Sequence, residues 1–506
     1  MSDSKQRKRG AFLSYVSITI NTLIQLLYTP FLISKLGQGE YGLYSLINSV
    51  IGYLTVLDLG FGNAIIVYTS KYRAQGKYDE EKRLHGMFRI VFRVIGVIAG
   101  LIGIILFLNV NNLFGASMTA LEIKEAKIMM LILAFNLMIT FNFSIYSSII
   151  SAYEKFTYQK MMAIISTIMK PLLMIPLLFM GYKAIAMTIV ITIVNVSVLL
   201  SNYIFCKRKL GIKIKFNGFD KKLFKTILGY SIWIFLGVMV DKANWSVDQF
   251  VLGSVAGTVA VSIYSTAGTI NSLFISLSGA ISGVLLPKVS KMIAKKSSDE
   301  EITNEFIKVG RIQYLIVLLM ARGLTLFGKE FFIAWVGKKF ITSYYIAIIL
   351  IIPLCLPLIQ NLGISIMQAK NMHKFRSIVL FMIAIANVAI SIPLAKLYGG
   401  IGSAIGTSLS LLIGNVLIIN IYYQKKVGIN VIKFWKEIFK MTIPFIIPIA
   451  IILLIMHFVT LHGYLHVIVF GGIYSIIYAA VCYFLVMNNY EKGIINKVLK
   501  KVHIRV

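Results

Sequence analysis

Apolar runs of about 20 residues or more, the length that carries a helix across a hydrocarbon layer, alternate with short polar connections from residue 11 almost to the end of the chain. They fall at 11–33, 41–69, 87–109, 127–150, 158–181, 184–206, 227–254, 258–286, 312–336, 343–368, 377–398, 400–423, 439–458 and 464–487. The runs are too long and too continuous for the alternating strands of a membrane barrel. They predict an all-α polytopic membrane protein with about fourteen transmembrane helices.

The pattern also repeats. Leu32–Ser45 matches Leu252–Ser265 at the leucine, at Ser34/Ser254, at Gly37/Gly257 and at Tyr44-Ser45/Tyr264-Ser265. Pro176, Lys209 and Gly211-Ile212 return at nearly the same separation as Pro393, Lys426 and Gly428-Ile429. The expected organisation is a six-helix bundle over 1–210, a second over 211–430, and two extra helices with a basic tail over 431–506. An even number of spans per half makes the repeat parallel, and transporters built this way run their substrate path between the halves around a central cavity.

Composition narrows the class. With 58% hydrophobic and 14% charged residues the chain cannot be a water-soluble globule. A net charge of +32 would suggest nucleic acid in a soluble protein. Here most of the 51 Lys and Arg residues collect on alternate connections and on both tails. That distribution is the positive-inside pattern, and it places both termini in the cytoplasm. The charge then reports topology and attraction to anionic membrane lipids, with no nucleic-acid partner. The basic first residues lead straight into a full-length span containing Asn21 and Gln25, so the segment reads as a retained helix and not as a cleaved signal.

Enzyme chemistry finds no home in the sequence. No connection is long enough to fold as a separate domain, and no Ser-His-Asp or Cys-His arrangement is defensible. Leu59-Gly-Phe-Gly lacks the lysine and preceding strand of a phosphate loop. Cys206, Cys355 and Cys482 lack metal-ligand spacing and read as packing residues. His457, His462 and His466 read as exposed loop histidines and not as a metal site. Ser298-x-x-Glu301 has the spacing of a capping box and predicts a helix start. No metal and no organic cofactor is expected.

The candidate chemistry lies in charges inside the spans, which cost roughly 2.5 to 3.5 kcal/mol each and therefore normally face a bundle interior or watery cavity. Asp241 and Asp248 are seven residues apart on nearly one face of span 7, with Asn244 and Trp245 between them and Lys242 alongside. These residues are expected to line a cavity; the alternative is an internal Asp241–Lys242 ion pair with partners on neighbouring helices. Span 1 carries Ser14, Ser17, Asn21, Gln25 and Tyr28 at intervals of three and four, a polar stripe better suited to an aqueous lumen than to helix contacts alone. Lys170 stands before Pro171, which should kink span 5. Arg322 lies within span 9, and Arg89 and Arg93 lie one turn apart in span 3, where snorkelling to lipid heads is the plainer role. Asp58 sits in a glycine-rich stretch that should bend span 2. The in-span cations outnumber the in-span carboxylates, and a net-positive cavity suits an anionic substrate head.

Leu36-Gly-x-x-x-Tyr41-Gly-Leu-Tyr44, Leu57-Asp-Leu-Gly-Phe-Gly62 and Asp248-Gln-Phe-Val-Leu-Gly253 followed by Ala260-Val-x-x-Tyr264-Ser resemble the polysaccharide-export branch of the multidrug, oligosaccharidyl-lipid and polysaccharide exporter superfamily. The resemblance implies two six-helix bundles around a central cavity. It also implies flipping of undecaprenyl-pyrophosphate-linked oligosaccharide units across a bacterial cytoplasmic membrane by alternating access, drawing on a proton or sodium gradient. Polymerase and glycosyltransferases of the same pathway would be partners. Lys242, Lys170 and Arg322 would then neutralise pyrophosphate, and Asp241, Asp248 or Asp58 would carry the coupling ion. A peptidoglycan lipid-precursor flippase is the nearest alternative, although its cavity is richer in arginine. A multidrug or cation antiporter is the second, and the span number and positive surplus argue against it.

Overall fold

The computed structural model describes residues 3–212, 214, 216, 218–295, 297–370, 372–493 and 495–496. Among these residues the secondary structure is entirely helical. Among the described residues, ten helices are long and apolar enough to cross a membrane. Two of them, over 16–74 and 375–427, are of double length. The chain is therefore a multi-pass membrane protein.

The elements run α1 (Asp3–Leu54), α2 (Phe61–Ala74), α3 (Tyr78–Phe114), α4 (Ala120–Ala152), α5 (Phe156–Phe179), α6 (Ala184–Arg208), α7 (Lys221–Val255) and α8 (Gly257–Ala294). They continue through α9 (Asp299–Val336), α10 (Ile341–Leu358), α11 (Asn361–Ala369), α12 (His373–Leu411), α13 (Ile419–Tyr422), α14 (Val431–Thr442), α15 (Ile446–Phe458) and α16 (Gly463–Val481).

The double-length helices are explained by glycines. Gly37 (φ 80°) breaks α1 and Gly399 (φ 57°) breaks α12, each where the sequence separates two apolar runs. Only a residue without a Cβ occupies that region cheaply. With those breaks counted, every expected apolar run is matched by a helical segment. The bend expected near Asp58 is also present: Leu59 and Gly60 are left-handed (φ 50° and 74°), ending a short 3-10 turn before α2 begins. The capping box expected at Ser298 forms, with Glu301 N–H donating to the Ser298 hydroxyl at 3.2 Å and Ser298 N–H to the Glu301 carboxylate at 3.1 Å. Thr119 and Glu122 make a second box at the start of α4.

Packing divides the chain into two compact units. Unit 1 comprises 1–266 and 380–406; unit 2 comprises 267–379 and 407–506. The repeat boundary at 210/211 separates α7 from the first six spans, whereas packing groups α7 with them.

Unit 1 has an apolar core through α3, α4 and α6, and glycines set how closely its helices approach. A Cβ on Gly42 of α1 would sit 1.8 Å from the Thr258 carbonyl oxygen of α8, and one on Gly103 would sit 2.3 Å from the Ala134 Cβ. Polar side chains also join its helices: Asn195 donates to Asn136 at 2.6 Å and to Thr140 at 2.8 Å, tying α6 to α4. Where α4 gives way to α5, Tyr153 donates to Glu81 at 2.8 Å under the Arg73 guanidinium, which lies 3.5 Å over its ring. Burial, then this carboxylate, push the Tyr153 phenol above its ordinary range.

Unit 2 is organised on α9, which packs against α10, α14 and α16. The three histidines expected to be exposed differ in burial. His457 and His462 are exposed, but His466 is buried, its ring set edge-on to Phe327 and Phe470, with Nδ1 3.0 Å from the Leu461 carbonyl. An apolar body with one satisfied nitrogen lets histidine serve as a core residue, so its place near a loop in sequence misled.

Candidate functional site

The polar stripe of span 1 meets Lys170 inside unit 1. Asn21, Gln25 and Tyr28 of α1, Tyr44 after the Gly37 break, and Thr167, Lys170 and Pro171 of α5 line one cavity of about 280 Å³. Apolar residues of α5 and α6, including Met174, Met187 and Val190, close its sides. The stripe follows from helical period: residues three and four apart share a face, and this face of α1 is turned to α5. Pro171 has no N–H to give the Thr167 carbonyl, so an acceptor is freed on the turn that bounds the cavity. Lys170 is half-buried, and among the described residues no carboxylate pairs with it. The cavity thus holds a cation, two amides and two phenols. That set can accept an anion and hydrogen-bond hydroxyl-rich groups.

The other expected residues distribute as follows. Lys242 is half-buried on α7, with Nζ 3.8 Å from where a Cβ on Gly52 would stand, so it is directed at the second part of α1. Asp248 is 1% exposed and accepts hydrogen bonds from Tyr264 at 2.5 Å and Ser403 at 2.7 Å. Asp58 accepts the Gly62 N–H at 3.4 Å and so caps the first turn of α2. Arg89 is half-buried and Arg93 exposed, near Tyr146 of α4. The side chains of Asp241, Asn244 and Trp245 lie outside the described residues.

Arg322 belongs to unit 2, where it is exposed on α9 and lines a second cavity with Lys436 and Lys440 of α14. The structure therefore brings Asn21, Gln25 and Lys170 together and puts Arg322 in a different place. Tyr44 and Thr167 also line the cavity but carry no charge, so the in-span charges give no sign of them; Tyr44 lies beyond the Gly37 break and Thr167 one turn before Pro171. Reading the in-span charges also missed Lys436 and Lys440, counted as loop charges although four residues apart they share one face of an amphipathic helix.

Comparison with known proteins decides the family. Residues 8–293, more than half of the chain, match the model of the family described as polysaccharide biosynthesis protein. The chain belongs to that family. A curated relative from Shigella flexneri named "Putative O-antigen transporter" is 22% identical over 410 residues, spanning 79% of this chain and 93% of its own length. A Haloferax volcanii protein named "Probable flippase AglR" is 28% identical over 192 residues, 34% of this chain and 37% of that protein.

Among solved structures, the lipid II flippase MurJ in an inward closed conformation matches with a TM-score of 0.73 at 19% identity, covering 94% of this chain and 98% of that one. An inward-facing multidrug transporter of the MATE family matches with a TM-score of 0.62 at 15% identity, over 81% and 96%. At these identities the likeness concerns the fold. As a member of the polysaccharide-export branch, the chain is a membrane transporter and not an enzyme, in keeping with its relatives' names.

Family membership gives the signature stretches a physical reading. Gly42 and Gly253 are contact points between helices: a Cβ on Gly253 would meet the Leu46 side chain at 2.6 Å. Asp248 fastens α7 to α8 and to the 380–406 part of α12 within unit 1. Glu40, between the motif's Leu36-Gly and Tyr41, pairs with Lys183 at 3.1 Å and accepts the Ala184 N–H at 3.3 Å, which anchors the start of α6.

Proposed function

We propose that this protein flips undecaprenyl-pyrophosphate-linked oligosaccharide units from the inner to the outer leaflet of a bacterial cytoplasmic membrane, for surface polysaccharide synthesis. Both termini are then cytoplasmic, on the side that carries most of the basic connections. The observation that carries the reading is the cavity in which Asn21, Gln25, Tyr28 and Thr167 surround Lys170. Sugars cannot cross hydrocarbon with their hydroxyls unsatisfied, and a pyrophosphate needs a cation to offset its desolvation. A cavity that offers amides, phenols and a cation unpaired among the described residues answers both needs. The name of the Shigella relative supports the same substrate class.

Transport proceeds by alternating access driven by a proton or sodium gradient, with Asp248, Asp241 and Asp58 as the candidate coupling carboxylates and Lys242 as a further candidate for the pyrophosphate. Polymerase and glycosyltransferases of the pathway would deliver and consume the cargo.

Complementation tests the proposal. In a strain that accumulates lipid-linked repeat units on the inner leaflet for want of their flippase, expression of this chain should restore surface polysaccharide. If polysaccharide stays absent while the chain instead rescues a strain lacking peptidoglycan-precursor flipping, the substrate assignment fails.

A further inference from the structure

The second cavity, in unit 2, has about 590 Å³ and lies between α9 and the extra helices α14 and α15. Its wall is sharply divided. Arg322, Lys436 and Lys440 supply the charge, while Leu318, Phe439, Ile443, Ile446 and Ile449 supply hydrocarbon. Thr442 also lines it, but its hydroxyl is already engaged with Tyr314 at 2.6 Å and with the Ile438 carbonyl at 3.0 Å. The neighbouring carboxylate, Glu437, is held by Lys440 at 2.7 Å and by Arg311 at 3.5 Å. Among the described residues no carboxylate pairs with Arg322 or Lys436. An exposed arginine within an apolar stretch of α9 is costly unless something anionic reaches it.

Helix α14 explains which side the cavity opens on. Val431, Phe434, Ile438 and Met441 point into the protein, whereas Lys436, Phe439 and Lys440 are on the exposed face. Phe439, Ile443 and Ile446 are 67%, 69% and 65% exposed, a large apolar surface beside the cations. Apolar residues alternating with lysines on one face are what an interfacial helix presents to lipid, with the ammonium groups reaching to the headgroup level.

We propose that this cavity is a binding site for an anionic bilayer phospholipid, whose phosphate is held by Arg322, Lys436 and Lys440 and whose acyl chains lie along Phe439, Ile443 and Ile446. The lining selects this occupant over a lipid-linked oligosaccharide, because it offers cations and hydrocarbon but almost no neutral hydrogen-bonding groups for sugar hydroxyls. The site uses none of the residues around Lys170, so it stands or falls apart from the transport reading.

The test is a titration of the purified full chain with phosphatidylglycerol carrying a photoreactive acyl chain, in phosphatidylcholine vesicles, with cross-linked peptides read by mass spectrometry. Label should appear on α14 and α15 at low phosphatidylglycerol content. Charge removal in the Arg322→Gln, Lys436→Gln, Lys440→Gln triple variant should raise the half-saturating content by about 100-fold, at roughly fivefold for each basic residue near an anionic membrane surface. Ile446→Trp, which fills the apolar wall and leaves every charge in place, should also weaken labelling; it keeps the test decisive if the triple variant fails to fold. Equal labelling by photoreactive phosphatidylcholine overturns the proposal, as does displacement by inorganic phosphate or by lipid-linked oligosaccharide. So does wild-type labelling of either variant.

Discussion

Tyr264 donates its hydroxyl to the buried carboxylate of Asp248 at 2.5 Å, joining α7 to α8, and Ser403 donates to the other carboxylate oxygen at 2.7 Å. A carboxylate with two such donors is a structural fastener as well as a candidate ion carrier, and two substitutions separate the roles. Asp248→Ala strands both hydroxyls in the core and should cost about 3 kcal/mol, seen as a lower unfolding temperature in detergent. Asp248→Asn keeps an acceptor and should stay folded. If Asp248 carries the coupling ion, the Asn variant loses its response to an imposed gradient in proteoliposomes; a normal response would remove it from that role.

Lys170 and Lys242 make a second test, of the cavity itself. Loss of a charged partner to a pyrophosphate should reduce export by about 30-fold or more. Lys170→Ala should do so with normal membrane insertion, and Lys170→Arg should recover much of the activity because the charge stays. Lys242→Ala is expected to abolish transport as well. Surface polysaccharide measured per inserted protein reads both, and wild-type export from either alanine variant takes that lysine out of the site.

How much of this was legible beforehand differs between backbone and side chains. Apolar runs dictate transmembrane helices directly, because a bilayer leaves the backbone no other way to satisfy itself, so the helical segments and even the breaks at Gly37 and near Asp58 could be anticipated. The stripe Asn21, Gln25, Tyr28 was visible from its period. Its partner was not: Lys170 faces this stripe through tertiary packing of α5 on α1, which the period of neither span encodes. Arg322 shows the same limit. Depth in a span indicates that a charge needs an environment, and only packing shows which one, here α14 with Lys436 and Lys440.

The glycines of the signature stretches give a contrast between two close approaches. At Gly42 an added Cβ would strike backbone, 1.8 Å from the Thr258 carbonyl oxygen and 2.6 Å from its carbon. At Gly253 it would strike only the end of a side chain, Leu46 at 2.6 Å. Backbone cannot step aside without moving a helix, while leucine can change rotamer. Gly42→Ala should therefore cost about 3 kcal/mol or more and sharply reduce folded protein, against about 1 to 2 kcal/mol for Gly253→Ala. Fluorescence-detected size exclusion of the two variants at equal expression gives the comparison; equal yields would mean that α1 and α8 do not meet as closely at Gly42.

A buried ion pair ties the segment after α16 to α9. Arg311, 8% exposed, donates from Nε to Glu491 at 2.7 Å and from an Nη to its other oxygen at 2.9 Å, and to the Val486 carbonyl at 3.1 Å. Glu491 is itself 3% exposed and accepts the Asn488 N–H at 2.9 Å. Removing one member of so buried a pair leaves the other charge without compensation, at about 3 to 5 kcal/mol, whereas replacing both with apolar residues of similar volume is often close to neutral. Arg311→Met and Glu491→Leu should each lower the unfolding temperature strongly, and the double variant should recover most of the loss. Because Glu437 also faces Arg311 at 3.5 Å, recovery should stop short of completion. Additive losses in the double variant would show that the two residues act independently and that the segment after α16 is held by other contacts.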